Sequence, residues 1–136
     1  MRVLVDTSIW SIALRRPRHH LAPIQDRQLK RFQELVSEAR VQLLGIVRQE
    51  LLTGIRHPEQ FVRLREYLRS FPDVALDRQD YERAAEMNNA CRARGISGSG
   101  PDFLICSVAT SRKWAIYTSD RDFERYGRCI PLTLYE

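Results

Sequence analysis

Val3-Leu4-Val5-Asp6-Thr7-Ser8, close to the start of the sequence, is the stretch that decides the fold. Its three consecutive aliphatic residues predict a short, fully buried strand. An acid follows directly, and then come two hydroxyl residues of the kind that begin helices. Ligands of open α/β sheets bind at the carboxyl ends of the strands, which is where Asp6 lies. Asp6 therefore has two interpretations at this point, a site residue or a simple cap of the next helix.

The length and composition are those of one ordinary globular domain. The chain has 136 residues, of which 43% are hydrophobic and 29% charged, so residues 1–136 are expected to form a single domain. No apolar run is long enough to span a bilayer, and the N-terminus does not resemble a signal peptide. We therefore expect a cytoplasmic protein without membrane contact.

The net charge and the cysteines exclude only a few kinds of partner and site. A formal charge of +5 permits a polyanionic partner such as nucleic acid, although many basic proteins have no such partner. The three cysteines, Cys91, Cys106 and Cys129, are far apart in the sequence and show no CxxC spacing. This argues against a disulfide framework and against a zinc site.

Strand-like and helix-like segments alternate along the chain. Beyond the first strand, the patterns predict strands at 41–44, 114–118 and 129–134, and helices at 9–14, 26–39, 46–54, 58–70, between Asp77 and Gly95, and from Pro101 onward. Such alternation predicts a parallel sheet with helices on both faces. Ile9, Trp10 and the helix at 26–39 have two interpretations, a groove for a partner segment or ordinary core packing.

Three further acids occupy positions comparable to that of Asp6. Glu50 lies in the middle of the apolar face of its predicted helix. Asp102 lies on a buried stripe in the first turn of another helix, and Asp120 follows a late strand and two hydroxyl residues. A carboxylate in such a place must be paired, protonated or bound to a cation. Each acid alone also has a structural explanation, as a cap or as a member of an ion pair.

If these four acids converge, their chemistry favours a divalent metal ion. Neighbouring carboxylates raise one another's pKa values unless a cation neutralises them. Because no set of His and Cys ligands accompanies the acids, Mg²⁺ or Mn²⁺ is favoured over zinc. A carboxylate-bound ion of this kind suits the hydrolysis of phosphodiesters, and basic residues around it would offset the repulsion of a polyanionic substrate.

The ordered motifs resemble those of PIN-domain nucleases, and most of all their VapC-type toxin branch. The motifs are Asp6-Thr7-Ser8 after the first strand, Glu50-Leu51 followed by Gly54, Asp102 at the start of an apolar helix, and Thr118-Ser119-Asp120-Arg121-Asp122-Phe123 after a late strand. The resemblance covers essentially the whole chain. One departure is Ser99-Gly100-Pro101, directly before Asp102, which is a more rigid sequence than the family pattern suggests.

The resemblance implies a fold, an activity and partners. The fold is a three-layer α/β/α arrangement with a short, mostly parallel central sheet. The activity is that of an endoribonuclease dependent on Mg²⁺ or Mn²⁺, and the partners are the RNA substrate, a cognate antitoxin protein and a second copy of the chain. The implied metal-site and catalytic residues are Asp6, Glu50, Asp102 and Asp120, with Asp122, Thr118 and Ser8 as auxiliary residues.

Two other functions compete with this hypothesis. A binding module for nucleic acid or for a protein partner, built on the same scaffold, would have little or no catalytic activity. A phosphatase that uses Asp6 as a covalent nucleophile is disfavoured, because the second acid that such enzymes carry two positions later is here Ser8.

Overall fold

A computed structural model describes residues 1–15 and 17–136, and Arg18 is described by its backbone alone. The run of arginines and histidines at 15–20 predicts an exposed basic loop after the first helix, of which Arg16 lies outside the described residues. The elements are β1 (Val3–Val5), α1 (Thr7–Arg15), a 3₁₀ turn (Arg18–His20), α2 (Pro23–Ser37), β2 (Val41–Gln42), α3 (Gly45–Leu52), α4 (Pro58–Leu68), α5 (Arg78–Ala93), α6 (Gly100–Arg112), β3 (Ala115–Tyr117) and α7 (Asp122–Tyr126). None of the described helices combines the length and apolar character needed to cross a membrane.

The sheet has the strand order β2-β1-β3, and both pairings are parallel. In its register, Val3 faces Val41 on one side and Ala115 on the other. All three residues of β1 and of β3 are buried, which explains why these strands are continuous apolar runs rather than alternating patterns. Asp6, directly after the central strand, therefore lies in the middle of the carboxyl edge of the sheet.

The helices cover both faces of this sheet. Helices α1 and α2 connect β1 to β2, whereas α3 to α6 connect β2 to β3 on the far side of β1. Parallel crossover connections are right-handed in nearly all proteins, so two connections that run in opposite directions across the sheet put α6 on the opposite face from α1 and α2. The predicted three-layer α/β/α class is confirmed.

Trp10 belongs to the core. Its side chain is fully buried, its Nε1 donates a hydrogen bond to the carbonyl oxygen of Val5 at 3.2 Å, and its ring meets Phe32 and Phe71 edge-on at centroid distances of 5.0 Å. The interpretation of Trp10 as part of a partner groove is therefore wrong, and ordinary packing accounts for it.

The C-terminal segment forms less sheet and more helix than its sequence predicts. Only Leu134 pairs with the sheet, in an isolated parallel bridge to Ile116, so the strand predicted at 129–134 is wrong. Two causes are visible: Pro131 has no N–H to donate, and the N–H groups of Cys129 and Ile130 both bond to the carbonyl oxygen of Tyr126. They continue the turn after α7, a helix that was not predicted.

A buried ion-pair network joins α5 to α6. Asp80 is 3% exposed, and its carboxylate accepts hydrogen bonds from Arg112 at 2.9 and 3.0 Å and from Arg83 at 3.3 Å. The same carboxylate also accepts the backbone N–H of Asp77, which caps α5. These contacts hold the pKa of Asp80 well below its usual range, with the Arg112 hydrogen bonds as the largest cause.

Candidate active site

Asp6 lies at the carboxyl end of β1 and is 6% exposed. Its Oδ2 accepts hydrogen bonds from the hydroxyl groups of Ser8 and Thr118, both at 2.8 Å, and a longer one from the backbone N–H of Ser8 at 3.4 Å. The last contact is a cap of α1, so Asp6 combines the two roles that its sequence position suggests. Among the described residues, no hydrogen bond involves its other oxygen, Oδ1.

The hydroxyl groups around Asp6 connect the first and third strand ends. Ser8 Oγ and Thr118 Oγ1 lie 3.2 Å apart, and the backbone N–H groups of Ser119 and Asp120 donate to these two oxygens at 3.0 and 2.9 Å. The two auxiliary hydroxyl residues thus fix one oxygen of Asp6 and the backbone of the loop that carries Asp120.

Glu50 faces Asp6 from α3. The backbone oxygens of Glu50 and Leu51 at the end of this helix accept hydrogen bonds from one nitrogen of Arg15, at 3.0 and 2.6 Å. The pKa of the Glu50 carboxyl is raised from its ordinary value, first by burial and then by the negative charges of Asp6 and Asp102. The Thr7 hydroxyl and the Arg15 guanidinium oppose this shift only in part.

Asp102 lies in the first turn of α6, where Ser99 caps the helix by accepting the backbone N–H of Asp102 at 3.2 Å. The hydroxyl of Tyr126 donates to Asp102 Oδ2 at 2.7 Å. Burial is the main cause that raises the pKa of Asp102, and the charges of Asp6 and Asp120 add to it, while the hydrogen bond from Tyr126 acts in the opposite direction. The rigid Ser99-Gly100-Pro101 sequence therefore begins a well-capped helix.

Tyr126 is a site residue that the sequence analysis missed. It lies on α7, is fully buried, and packs against Phe103 and Phe123 at centroid distances of 4.8 and 5.2 Å. Gly98 makes this position possible, because a Cβ there would lie 2.5 Å from the Tyr126 hydroxyl. One feature of the sequence could have indicated this contact: the Gly/Ser-rich stretch before Asp102. A glycine often marks a place where another group approaches the backbone closely.

Asp120 and Asp122 lie at the rim of the site. Asp120 is exposed, and its Oδ1 accepts the backbone N–H of Asp122 at 2.9 Å. Asp122 in turn forms an ion pair with Arg125 at 3.3 Å. The charge of Asp120 acts on Asp102, and both Asp120 and Asp122 act on Tyr126 behind it. Of the two, Asp120 is the one whose charge acts on another site carboxylate, while Asp122 has Arg125 as its partner.

The acids are neighbours but do not form a preassembled metal cage. After burial, the charges of Asp6 and Asp102 raise the pKa of Glu50, and the charge of Asp6 also raises that of Asp102, so these three carboxylates lie around one space. Within residues 1–15 and 17–136, no group of three or more His, Cys, Asp or Glu side chains is close enough to hold a metal ion as it stands.

The donor chemistry nevertheless fits a hard divalent cation. Asp6, Asp102 and Asp120 each use one carboxylate oxygen in the hydrogen bonds described above, and no bond within the described chain involves the other oxygen. The mutual repulsion of Glu50, Asp6 and Asp102 is the condition that a bound cation relieves. Oxygen ligands without histidine or cysteine suit Mg²⁺ or Mn²⁺.

Comparison with known proteins gives the same fold. The profile of the PIN domain family matches residues 3–128. Among solved structures, VapBC2 from Rickettsia felis bound to a DNA fragment from their promoter is similar with a TM-score of 0.77 and 19% identity, covering 99% of this chain and 98% of that one. FitAcB from Neisseria gonorrhoeae is similar with a TM-score of 0.75 and 19% identity, covering 98% and 96%.

A toxin–antitoxin complex from Klebsiella pneumoniae is also similar, with a TM-score of 0.66 and 19% identity over 89% of each chain. No curated protein sequence matches this chain significantly. At these identities the likeness to solved structures concerns the fold, and the family assignment comes from the match over residues 3–128.

Proposed function

Because this chain belongs to the PIN domain family, we propose that it is a metal-dependent endoribonuclease, the toxin of a toxin–antitoxin pair. It hydrolyses phosphodiester bonds of RNA at the carboxyl edge of the sheet. RNA and the antitoxin meet the protein in the cytoplasm. The observation that carries the proposal is the group of Asp6, Glu50 and Asp102, in which burial first, and then the charges of neighbouring carboxylates, raise the pKa values of Glu50 and Asp102.

Asp6, Glu50, Asp102 and Asp120 are the proposed ligands of Mg²⁺ or Mn²⁺. When bound, the ion supplies the Lewis acidity that activates a water molecule and stabilises charge on the phosphate. Ser8 and Thr118 hold Asp6 in one orientation, and Tyr126 does the same for Asp102. These outer hydrogen bonds leave one oxygen of each aspartate directed away from its protein partner, which is the usual role of groups behind a ligand.

The similar structures support an antitoxin as a partner, whereas the homodimer is proposed from the resemblance of the sequence motifs alone. The Klebsiella pneumoniae protein is part of a toxin–antitoxin complex, and the Rickettsia felis VapBC2 structure includes promoter DNA. We expect this chain to bind a cognate antitoxin and to form a homodimer, so co-expression with the neighbouring gene product followed by light scattering would give the composition of the complex.

The decisive experiment measures RNA cleavage by purified protein with Mn²⁺ or Mg²⁺, with EDTA, and after Asp6→Asn substitution. Cleavage is expected only for the unmodified protein with the ion, because Asp6 lies at the centre of the site. Asp26→Asn is the matched control, since Asp26 is paired with Lys30 on the surface of α2. Cleavage that persists in EDTA and in Asp6→Asn would overturn the mechanism.

A binding module with little catalytic activity is the second candidate, and the absence of a preassembled ligand group in the described chain favours it. It predicts RNA or antitoxin binding without Mn²⁺ binding. Isothermal titration of the purified protein with Mn²⁺ separates the two functions, because the nuclease requires a saturable site that Asp6→Asn removes.

A further inference from the structure

A basic cleft opens beside the carboxylates. It lies between the end of α1, the turn that follows α3 and one side of α4, and its volume is about 830 Å³. We call it the α4 cleft; Arg15, Gly54, Arg56, His57, Arg63 and Tyr67 are among its lining residues. Gly54 shapes it by adopting φ +87°, a conformation that few other residues tolerate, so the chain leaves α3 in a sharp turn.

Arg15 connects this cleft to the candidate active site. Its guanidinium lines the cleft and also donates to the backbone oxygens of Glu50 and Leu51 at the end of α3. The cleft therefore reaches the end of the helix that carries Glu50, and Arg15, one of its lining residues, also acts by its charge on the Glu50 carboxyl.

The lining of the α4 cleft is positively charged; the charge of Arg15 already acts on the Glu50 carboxyl, whereas those of Arg56 and Arg63 are not neutralised by an ion pair within the described chain. Arg15, Arg56 and Arg63 form no ion pair with a carboxylate of the described chain, and no Asp or Glu is among the described lining residues. The neighbouring acid, Glu59, lines the adjoining hollow with Arg63. Unpaired arginines beside an acidic site fit a polyanion that must approach that site.

Tyr67 adds an aromatic surface to the cleft. Its side chain remains 41% exposed although its ring packs edge-on against Phe71 at 5.6 Å. A ring that is held on one side and open on the other is suited to stack on an unpaired base. A base within a duplex could not reach it, which favours a single strand.

A second basic hollow, beside Thr118, is a weaker candidate. Its Arg31 forms an ion pair with Glu34 at 3.6 Å and lies over the ring of Tyr135 at 5.9 Å. Its aromatic face and one of its two arginines are therefore already used within the protein, and the acidic Glu136 is among its lining residues, whereas no acid is among the described lining residues of the α4 cleft.

We propose that the α4 cleft binds single-stranded RNA adjacent to the carboxylates, with Arg56 and Arg63 contacting backbone phosphates and Tyr67 stacking on a base. This inference rests on the proposed nuclease function and assigns its substrate-binding residues. Arg15 and the turn at Gly54 position the strand relative to Glu50.

The first test measures RNA binding without cleavage. A short, fluorescently labelled single-stranded RNA is titrated in EDTA, and its anisotropy gives the affinity at several salt concentrations. For Arg56→Ser/Arg63→Ser, the slope of log K against log[salt] should decrease in magnitude by about 1.4, because each phosphate contact to a single strand contributes about 0.7. Arg78→Ser/Arg92→Ser on the exposed part of α5 removes the same charge and should leave the slope unchanged.

The second test addresses stacking. Tyr67→Ala should weaken RNA binding on the order of tenfold, as loss of one stacked base does, while Tyr67→Phe retains the affinity. Tyr81→Ala is the matched control, because Tyr81 is 56% exposed on α5. Circular dichroism melting curves identify any variant that fails to fold, and the conservative Tyr67→Phe variant remains informative in that case.

The outcomes separate the cleft from the nuclease. If wild-type protein cleaves RNA but the cleft variants bind it as tightly as the controls, the cleft proposal fails and the proposed function stands. If only the cleft variants lose RNA binding, and neither they nor the wild-type protein cleave RNA, the proposed RNA-binding role of the cleft is supported and the proposed nuclease function is contradicted. Variants that lose only antitoxin binding would identify a protein-docking surface and overturn the proposal, as would wild-type protein that binds no single-stranded RNA.

Discussion

Gly98 shows how a single missing side chain supports the site. The absence of a Cβ lets the loop before α6 lie against Tyr126, whose hydroxyl reaches Asp102. A methyl group would be 2.5 Å from that hydroxyl and 2.7 Å from Phe103. Real Cβ atoms do not approach other atoms so closely, so the aromatic residues would have to move.

We expect Gly98→Ala to destabilise the protein by about 1–3 kcal/mol, the usual effect of overpacking, and to lower RNA cleavage by displacing the Tyr126 hydroxyl from Asp102. Urea denaturation and cleavage rates check the two effects. Gly100→Ala is the control, because nothing lies within 4 Å of a Cβ at that position. Equal behaviour of the two variants would contradict this account.

Thr118 is expected to act through Asp6 and through the loop of Asp120. Thr118→Val removes the hydroxyl that donates to Asp6 Oδ2 and accepts from the backbone N–H of Asp120. Loss of such a supporting group typically lowers metal affinity or activity by about 10–100-fold. Mn²⁺ titration and cleavage assays measure this loss, and Thr118→Ser should restore most of both; a Ser variant as defective as Val would argue against the hydroxyl.

Glu50 is expected to make the folded protein less stable as pH rises. Its pKa is raised in the folded protein, so the folded state binds the proton more tightly than the unfolded state does. The associated stability is present at low pH and is lost as pH rises through the raised pKa. In EDTA, Glu50→Gln should therefore melt higher than wild type at pH 8, with the difference closing below about pH 4, near the ordinary pKa of Glu.

Melting curves from pH 3 to 8, with the exposed Glu82→Gln as control, measure this difference. A Glu50→Gln variant that is less stable than wild type at pH 8 without metal would show that the carboxylate is not under repulsion from Asp6 and Asp102.

For single residues, the sequence predicts where the acids lie along the chain better than it predicts which residues donate hydrogen bonds to them. Asp6 and Asp120 follow apolar strands, and Asp102 opens an apolar helix, so local patterns locate them along the chain. Their hydrogen-bond donors come from elsewhere in the sequence, as Thr118 does for Asp6 and Tyr126 does for Asp102. Such pairs depend on how strands and helices pack, which no local pattern contains.

Among the elements, α5 and α6 are joined by a buried ion pair at a place where the sequence pattern predicts apolar contacts. The sequence predicts a stripe on α5 of Tyr81, Ala84, Ala85, Asn88 and Cys91, yet Tyr81 and Ala85 are exposed and the buried residues are Asp80, Met87 and Cys91. An acid cannot be predicted as buried from periodicity, because its burial requires Arg112 and Arg83 to reach it.

Asp80→Asn should destabilise the protein at pH 7 by about 2 kcal/mol, since hydrogen bonds to charged groups contribute about 1.5–3 kcal/mol. The low pKa of Asp80 means that this stability is present above the ordinary pKa of Asp and is lost as pH falls below it. In chemical denaturation the gap between variant and wild type should thus narrow as pH falls below about 4, the ordinary pKa of Asp, whereas the exposed Asp26→Asn shows little effect at any pH. A gap that is constant with pH would contradict the assignment.

For the whole molecule, binding of a divalent ion should increase the free energy of unfolding. If Asp6, Glu50 and Asp102 share a divalent ion, the ion relieves their repulsion in the folded state only. Mn²⁺ at about 100 times its dissociation constant should add about 2.7 kcal/mol to the free energy of unfolding. Thermal unfolding with and without Mn²⁺ measures this gain, and Asp6→Asn should abolish it; an equal gain in that variant would place the ion elsewhere.

The order of layers was predictable from the alternation of strands and helices, and the three-layer architecture follows from it. The positive charge of +5 alone did not indicate where a polyanion would bind. Folding concentrates arginines on one side of Glu50 and carboxylates on the other, and that separation arises from the turn at Gly54 and the packing of α4, not from composition.

The pairing of β1 with β3 has a consequence for biosynthesis. Residues 3–5 are synthesised long before their sheet partners at 115–117. A nascent chain that ends before Ala115 lacks Thr118, Asp120 and Tyr126, so Asp6 and Asp102 have none of their cross-chain donors. The long-range topology thus delays assembly of the carboxylate site until Tyr126 has been synthesised, so that a shorter nascent chain does not hold both Asp6 and Asp102 in their final contacts.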